Sequence, residues 1–141
     1  MKTLKAIMGL ALMAVCGFAN AAPKTHDGNA TKQEVVDTYL NAIVHGDLNG
    51  ITNAIDDNAH FYIQRGVRIL ATDKKEVVKY LKTNANIEHN CTCTGTVLQE
   101  SDNMLVEKVE MKFKDMTRTD VITAQLSDEG WKITRVETSY K

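Results

Sequence analysis

The chain has 141 residues, with 17 Lys and Arg against 18 Asp and Glu and 43% apolar side chains. That length fits one domain, and a net charge of −1 with neither sign gathered in a block argues against nucleic acid or anionic membrane as a partner. Three cysteines are too few for a disulfide-built scaffold, so the core must hold by apolar burial; a single proline leaves room for long strands.

The N-terminus reads as an export signal. Lys2 and Lys5 precede an uncharged apolar run over 7–18, and Ala19-Asn20-Ala21 has the small-x-small pattern of a signal-peptidase site. The run is shorter than the ~20 residues of a spanning helix. Cys16 offers a rival reading, a lipid anchor, but Val15 before it suits that signal poorly, so cleavage after Ala21 is preferred. The expected product is periplasmic or secreted, 120 residues long, with 15 basic and 18 acidic residues and no membrane segment. Residues 22–30 are polar and read as a disordered lead-in to a single domain over 31–141.

Thr31 with Glu34 three residues on forms a capping box, and Val35, Val36, Tyr39, Leu40, Ile43 and Val44 recur at helical spacing until Gly46. Asp47 is placed as the cap of a short second helix with Leu48, Ile51 and Ile55 on its apolar face. Asp56-Asp57-Asn58 reads as a turn. Residues 59–65 and 67–71, separated by Gly66, read as a short strand pair. Asp73 and Glu76 open a third helix with Val77, Val78 and Leu81 as its stripe.

From Ile87 the period changes to two. Strands are expected over 92–99, 104–113, 121–126 and 131–140, with turns at Ser101-Asp102-Asn103, at 114–117 and at Ser127-Asp128-Glu129-Gly130. Ile122, Ala124 and Leu126 should share one face, and Trp131 and Ile133 should reach the core. Helices first and hairpin-linked strands last imply an α+β fold, an antiparallel sheet with helices on one face.

Val35-Val36, Tyr39-Leu40, Gly46-Asp47-Leu48, Gly50-Ile51, Asp56-Asp57, Ala59 and the closing Gly130-Trp131-Lys132-Ile133, taken in order, resemble the nuclear transport factor 2-like superfamily. That group includes ketosteroid isomerases, polyketide cyclases and small exported proteins labelled "putative lumazine-binding". The resemblance implies a cone: a strongly curved sheet wrapped over three helices, enclosing a pocket. It also implies a comparison of sites. In the isomerases a helix-one tyrosine and a buried protonated acid hold the enolate, and a first-strand carboxylate moves the proton. Aligned on the glycine-aspartate pair, the tyrosine falls on Tyr39, the base on Ile63 and the second acid near Ile122. Isoleucine can neither give nor accept a proton, so the isomerase chemistry is absent on this alignment.

Other candidates carry weaker chemistry. Tyr39 lies on the buried stripe, where its hydroxyl either meets a ligand or is satisfied within the fold. Glu107, between Leu105 and Val109, is the one charge on an apolar strand face, and burial there would raise its pKa. His60 and Tyr62 should face outward, on a face suited to a dimer contact; His45 sits near the negative end of a helix dipole, and His26 lies in the lead-in. His89, Cys91 and Cys93 alternate, but steps of ~6.6 Å carry three strand ligands too far apart for one ion unless a bulge intervenes. Cys91 and Cys93 stay as thiols or partly oxidised by default, with a disulfide as the alternative.

The sequence therefore predicts an exported module that binds a small, largely apolar molecule or none, lined by Tyr39, Phe61, Ile63, Val109, Met111, Ile122 and Ala124, with no cofactor or metal. The alternatives are a small isomerase, dehydratase or cyclase using Tyr39 and Glu107, and a homodimeric scaffold using the convex sheet face.

Overall fold

The computed structural model describes residues 30–141. The export signal, His26 and nearly all of the lead-in lie outside them. Helix α1 (Lys32–Val44) opens as its residues demand: the Thr31 hydroxyl accepts from the Glu34 amide, and the Glu34 carboxylate accepts from the Thr31 amide at 2.7 Å. Its stripe of Val35, Val36, Tyr39, Leu40 and Val44 is buried. His45 caps the far end and meets Glu88, its Nδ1 2.6 Å from the carboxylate. Gly46 follows at φ +63°, and a Cβ there would lie 2.5–2.7 Å from backbone atoms of Asn84, Asn86 and Ile87. The next loop packs directly on this glycine, with the Asn86 amide donating to its carbonyl.

Helix α2 (Ile51–Ala54) is shorter than expected and is not capped by Asp47. The Asp47 carboxylate turns back on the Asn49 amide at 3.0 Å, and Gly50, left-handed, becomes the cap. Ile55 thereby leaves the helix and starts β1 (Ile55–Arg65). The expected turn at Asp56-Asp57-Asn58 is absorbed into that strand as an irregularity: Asp56 accepts from the Asn58 amide at 2.8 Å, and the pairing register shifts between Ile55 and His60. After Gly66 come β2 (Arg68–Asp73) and α3 (Lys74–Thr83), which Asp73 caps by accepting from the Glu76 amide. Strands β3 (Thr92–Glu100), β4 (Met104–Lys112), β5 (Thr117–Ser127) and β6 (Gly130–Tyr140) complete the chain.

The six strands form one curved, open sheet in the order β2-β1-β6-β5-β4-β3. The α+β class and the three helices are as expected, but the sheet is not antiparallel throughout, because β1 runs parallel to β6. Those strands meet across the whole chain, so no hairpin fixes their sense. Tyr39, Val35 and Val36 of α1 lie in one core with Val109, Met111, Ile122, Ala124, Ile133 and Val136 of the sheet. Leu126, expected inside with Ile122 and Ala124, is half exposed at the β5–β6 hairpin end, and Trp131 is half-buried with the Lys32 ammonium 5.8 Å above its ring. His60 is exposed and Phe61 buried, as their alternation requires; Tyr62 is half-buried on the outer face under Arg135.

Candidate functional site

Strand β5 carries Arg118, Asp120, Ile122 and Ala124 at two-residue spacing, one inward phase. Asp120 is fully buried between Val109 of β4 and Thr138 of β6, its register partners. Its carboxylate accepts four hydrogen bonds, two on each oxygen. Arg118 Nε (2.9 Å) and the Thr138 hydroxyl (2.8 Å) donate to Oδ1; Arg118 Nη2 (2.8 Å) and the Tyr39 hydroxyl (3.2 Å) donate to Oδ2. Nη2 also donates to the Tyr39 oxygen at 3.3 Å. The acceptor capacity of the carboxylate is used up. Burial, reinforced by the Asp120 charge, pushes the Tyr39 phenol well above its ordinary pKa, so it stays a donor. Burial alone would lower the Arg118 value; the Tyr39 and Asp120 oxygens reverse this and keep the guanidinium charged.

One nitrogen of this cluster remains available. Arg118 Nη1 makes no hydrogen bond among the described residues, yet no buried side-chain polar atom there lacks a partner. Nη1 is therefore open to solvent, and Arg118 lines a cleft of about 470 Å³. Its lining includes Ala42, Ile43, Leu81, Phe113 and Met116, with the exposed Tyr80 and Tyr140 and the amides Asn84 and Asn90. Asp115, Lys114 and His89 also line it, so opposite charges offset each other around the opening. A larger cleft, about 760 Å³, runs along α3 between lysines 74, 75, 79 and 82, and Lys74 is tied to Asp57 at 2.6 Å. No member of the buried cluster lines it.

Glu107 stands apart from Tyr39. It is 7% exposed, and its carboxylate accepts from Gln33 Nε2 at 3.4 Å; the same amide donates to Asp37 at 3.2 Å. Burial raises the Glu107 pKa, the Gln33 bond offsets part of this, and the Asp37 charge adds to it. Burial likewise raises Asp37. Gln33 and Tyr39 are six residues apart on α1, about 9 Å along the axis. Glu107 and the strand position opposite Asp120 are two residues apart, roughly 7 Å. The expected pair of Tyr39 and Glu107 does not converge on one point. Gly95, opposite Val109 on β3, is where Glu107 leans: a Cβ there would overlap the Glu107 Oε1.

Tyr39, Phe61, Val109, Met111, Ile122 and Ala124 are buried core, Ile63 is half-buried on β1, and none of the seven lines the clefts described here. Sequence reasoning missed Asp120 and Arg118, whose signal was their phase with Ile122 and Ala124. Among the described residues no three His, Cys, Asp or Glu side chains gather as a metal site.

The profile of a family described as "Putative lumazine-binding" matches residues 27–140. No curated protein matches the chain. Among solved structures, an NTF-2 like protein of unknown function from Silicibacter pomeroyi is similar at 18% identity and TM-score 0.61, over 77% of this chain and 90% of that one. An NTF2-like protein of unknown function from Methylobacillus flagellatus shares 16% identity at TM-score 0.58, over 92% and 98%. A protein from Shewanella frigidimarina described as a "putative ketosteroid isomerase" shares 15% at TM-score 0.58, over 79% and 97%. At these identities the likeness is one of fold.

Proposed function

The chain belongs to the "Putative lumazine-binding" family of the NTF2-like superfamily, and we propose that it is an exported domain that holds a small, largely apolar molecule in the Arg118 cleft without transforming it. The observation that carries this reading is Arg118 among the residues lining a cleft with apolar walls at Ala42, Ile43, Leu81, Phe113 and Met116, its guanidinium fixed by Asp120 and Tyr39 and its Nη1 left without a hydrogen bond among the described residues. A donor held in place at the wall of a hydrocarbon-rich hollow fixes orientation at little entropic cost. Asp120 already neutralises the guanidinium, so the partner best matched to Nη1 is an uncharged acceptor, such as a carbonyl oxygen on a flat or apolar body, rather than a free anion.

Two features weigh against catalysis of the isomerase kind. The base position is filled by Ile63, and the buried acid beside Tyr39 accepts from Arg118 at both oxygens, whereas an oxyanion-holding acid must carry its own proton. Glu107 lies along the sheet from Tyr39 and lines none of the clefts described.

The test is native mass spectrometry of protein purified from its own host, followed by titration of the released compound, or of an apolar fluorescent probe, into wild type and into Met116→Trp. Met116 is 43% exposed on the cleft wall, so a larger side chain there fills the hollow without entering the core. Loss of binding by tenfold or more in the variant is expected. Unchanged binding by a folded Met116→Trp protein sinks the assignment of this cleft.

A further inference from the structure

The strand-start pair Cys91 and Cys93 is not absorbed by the ligand cleft. Their sulfurs lie 3.7 Å apart, on one side of the chain, and both residues are half-buried. A bond of ~2.05 Å would require the sulfurs to close by roughly 1.7 Å. The two ends differ in what holds them. Cys93 is within β3, paired with Met111, whereas Cys91 precedes the ladder, whose first pair is Thr92 with Lys112. β3 is also an edge strand, paired on one side only. Cys91 can therefore move toward a fixed Cys93 without breaking a strand pairing. A cleft of about 410 Å³ is lined by His45, Glu88, His89 and Lys112 together with both cysteines, so it opens beside the pair.

We propose that Cys91 and Cys93 form a thiol–disulfide exchange site that takes a disulfide-bearing partner, either glutathione disulfide or an oxidised protein dithiol. In the first step one cysteine, having lost its proton, attacks a partner sulfur; a mixed disulfide forms, the partner's S–S bond breaks, and its other sulfur leaves as a thiol carrying a proton. In the second step the neighbouring cysteine attacks the mixed disulfide and releases the second partner thiol. Two protein thiols are oxidised by two electrons, one partner disulfide is reduced to two thiols, and the protons go to those thiols. The extended two-residue span, ~6.6 Å between Cα atoms, sits near the upper limit for a disulfide, so the product is strained and easily reopened.

The full chain is equilibrated over a series of reduced-to-oxidised glutathione ratios, quenched by alkylation, and mapped by mass spectrometry. The expected wild-type product is a monomer lighter by two hydrogens, with the 91–93 peptide cross-linked and reopening at millimolar reduced glutathione. C91S should hold one stable glutathione on Cys93, and C93S one on Cys91, since the second step is lost; the C91S/C93S double variant, which keeps Cys16, reports the background from that cysteine, which is subtracted from each. Circular dichroism checks that each variant is folded. A wild type whose two cysteines stay alkylatable across the series, or that carries two glutathiones or only intermolecular links, overturns the proposal.

Discussion

Asp120→Ala is the substitution with the largest expected consequence outside the backbone. The residue is fully buried, and its removal leaves the Arg118 guanidinium, 13% exposed, without its counter-ion, and the Tyr39 and Thr138 hydroxyls without their acceptor. Breaking one side of a buried ion pair costs about 3–5 kcal/mol, because the survivor is left charged and desolvated. Water entering from the Arg118 cleft can solvate the guanidinium in part, which places the expected loss near the lower end, about 3 kcal/mol. Replacing both partners with hydrocarbon of similar volume avoids the stranded charge, so the Arg118→Met, Asp120→Leu double variant should recover most of that loss. Urea unfolding followed by Trp131 fluorescence, applied to wild type, Arg118→Met, Asp120→Leu and the double variant, gives the four free energies of a cycle, and their difference gives the coupling; Asp120→Ala is measured alongside. If Asp120→Ala costs under about 1 kcal/mol, or if the two single losses simply add in the double variant, the cluster is not the coupled buried unit described here.

Tyr39→Phe removes one donor to Asp120 and one acceptor for Arg118 while keeping the ring; chemical denaturation should show a loss of about 1–2 kcal/mol. Gly46→Ala combines a positive φ with backbone atoms that cannot swing aside, so thermal unfolding should show a drop of about 3 kcal/mol or more, or no folded protein. Gly95→Ala meets only the end of the Glu107 side chain, so it should cost about 1 kcal/mol in wild type and nothing in a Glu107→Ala background; equal costs in both would break the link. Burial raises the folded-state pKa of Glu107, so the folded protein binds its proton more tightly than the unfolded chain. That contribution is fully present at low pH and is lost as pH rises from about 4.3 through the raised value. Glu107→Gln should therefore gain on wild type between pH 4 and pH 7 in unfolding titrations, and a constant difference would refute the assignment.

Local chemistry made most of the fold legible. The capping box at Thr31-Glu34 and the Asp73 cap on the Glu76 amide place their helix starts to the residue, because a side chain and an amide three positions apart decide the matter between themselves. The alternating strands from β3 to β6 follow in the same way, since hairpins pair neighbours. What was not legible required contact across the chain. Whether β1 runs with or against β6 depends on residues more than seventy positions apart, and no turn joins them. Asp56-Asp57-Asn58 carries true turn chemistry, visible in the Asp56 to Asn58 bond, but the sheet continues through it as a bulge.

The site was half legible for a reason of phase. An apolar alternation starting at Val121 marks Ile122 and Ala124 as inward, and extending the same alternation toward the N-terminus reaches Asp120 and Arg118 on the same face. Charged residues next to a turn ordinarily belong to solvent, so composition argues for stopping the strand where its hydrocarbons stop. A buried charge breaks that rule only when its partners are present, and here they come from three places: Arg118 two residues away on β5, Thr138 across β6, and Tyr39 from a helix about eighty residues earlier. The resemblance to the isomerases placed a second acid near Ile122, and a carboxylate does stand two residues earlier in the same inward row. Asp120 has Arg118 bound at both oxygens, so its carboxylate has no proton to donate and instead holds a guanidinium that lines the cleft.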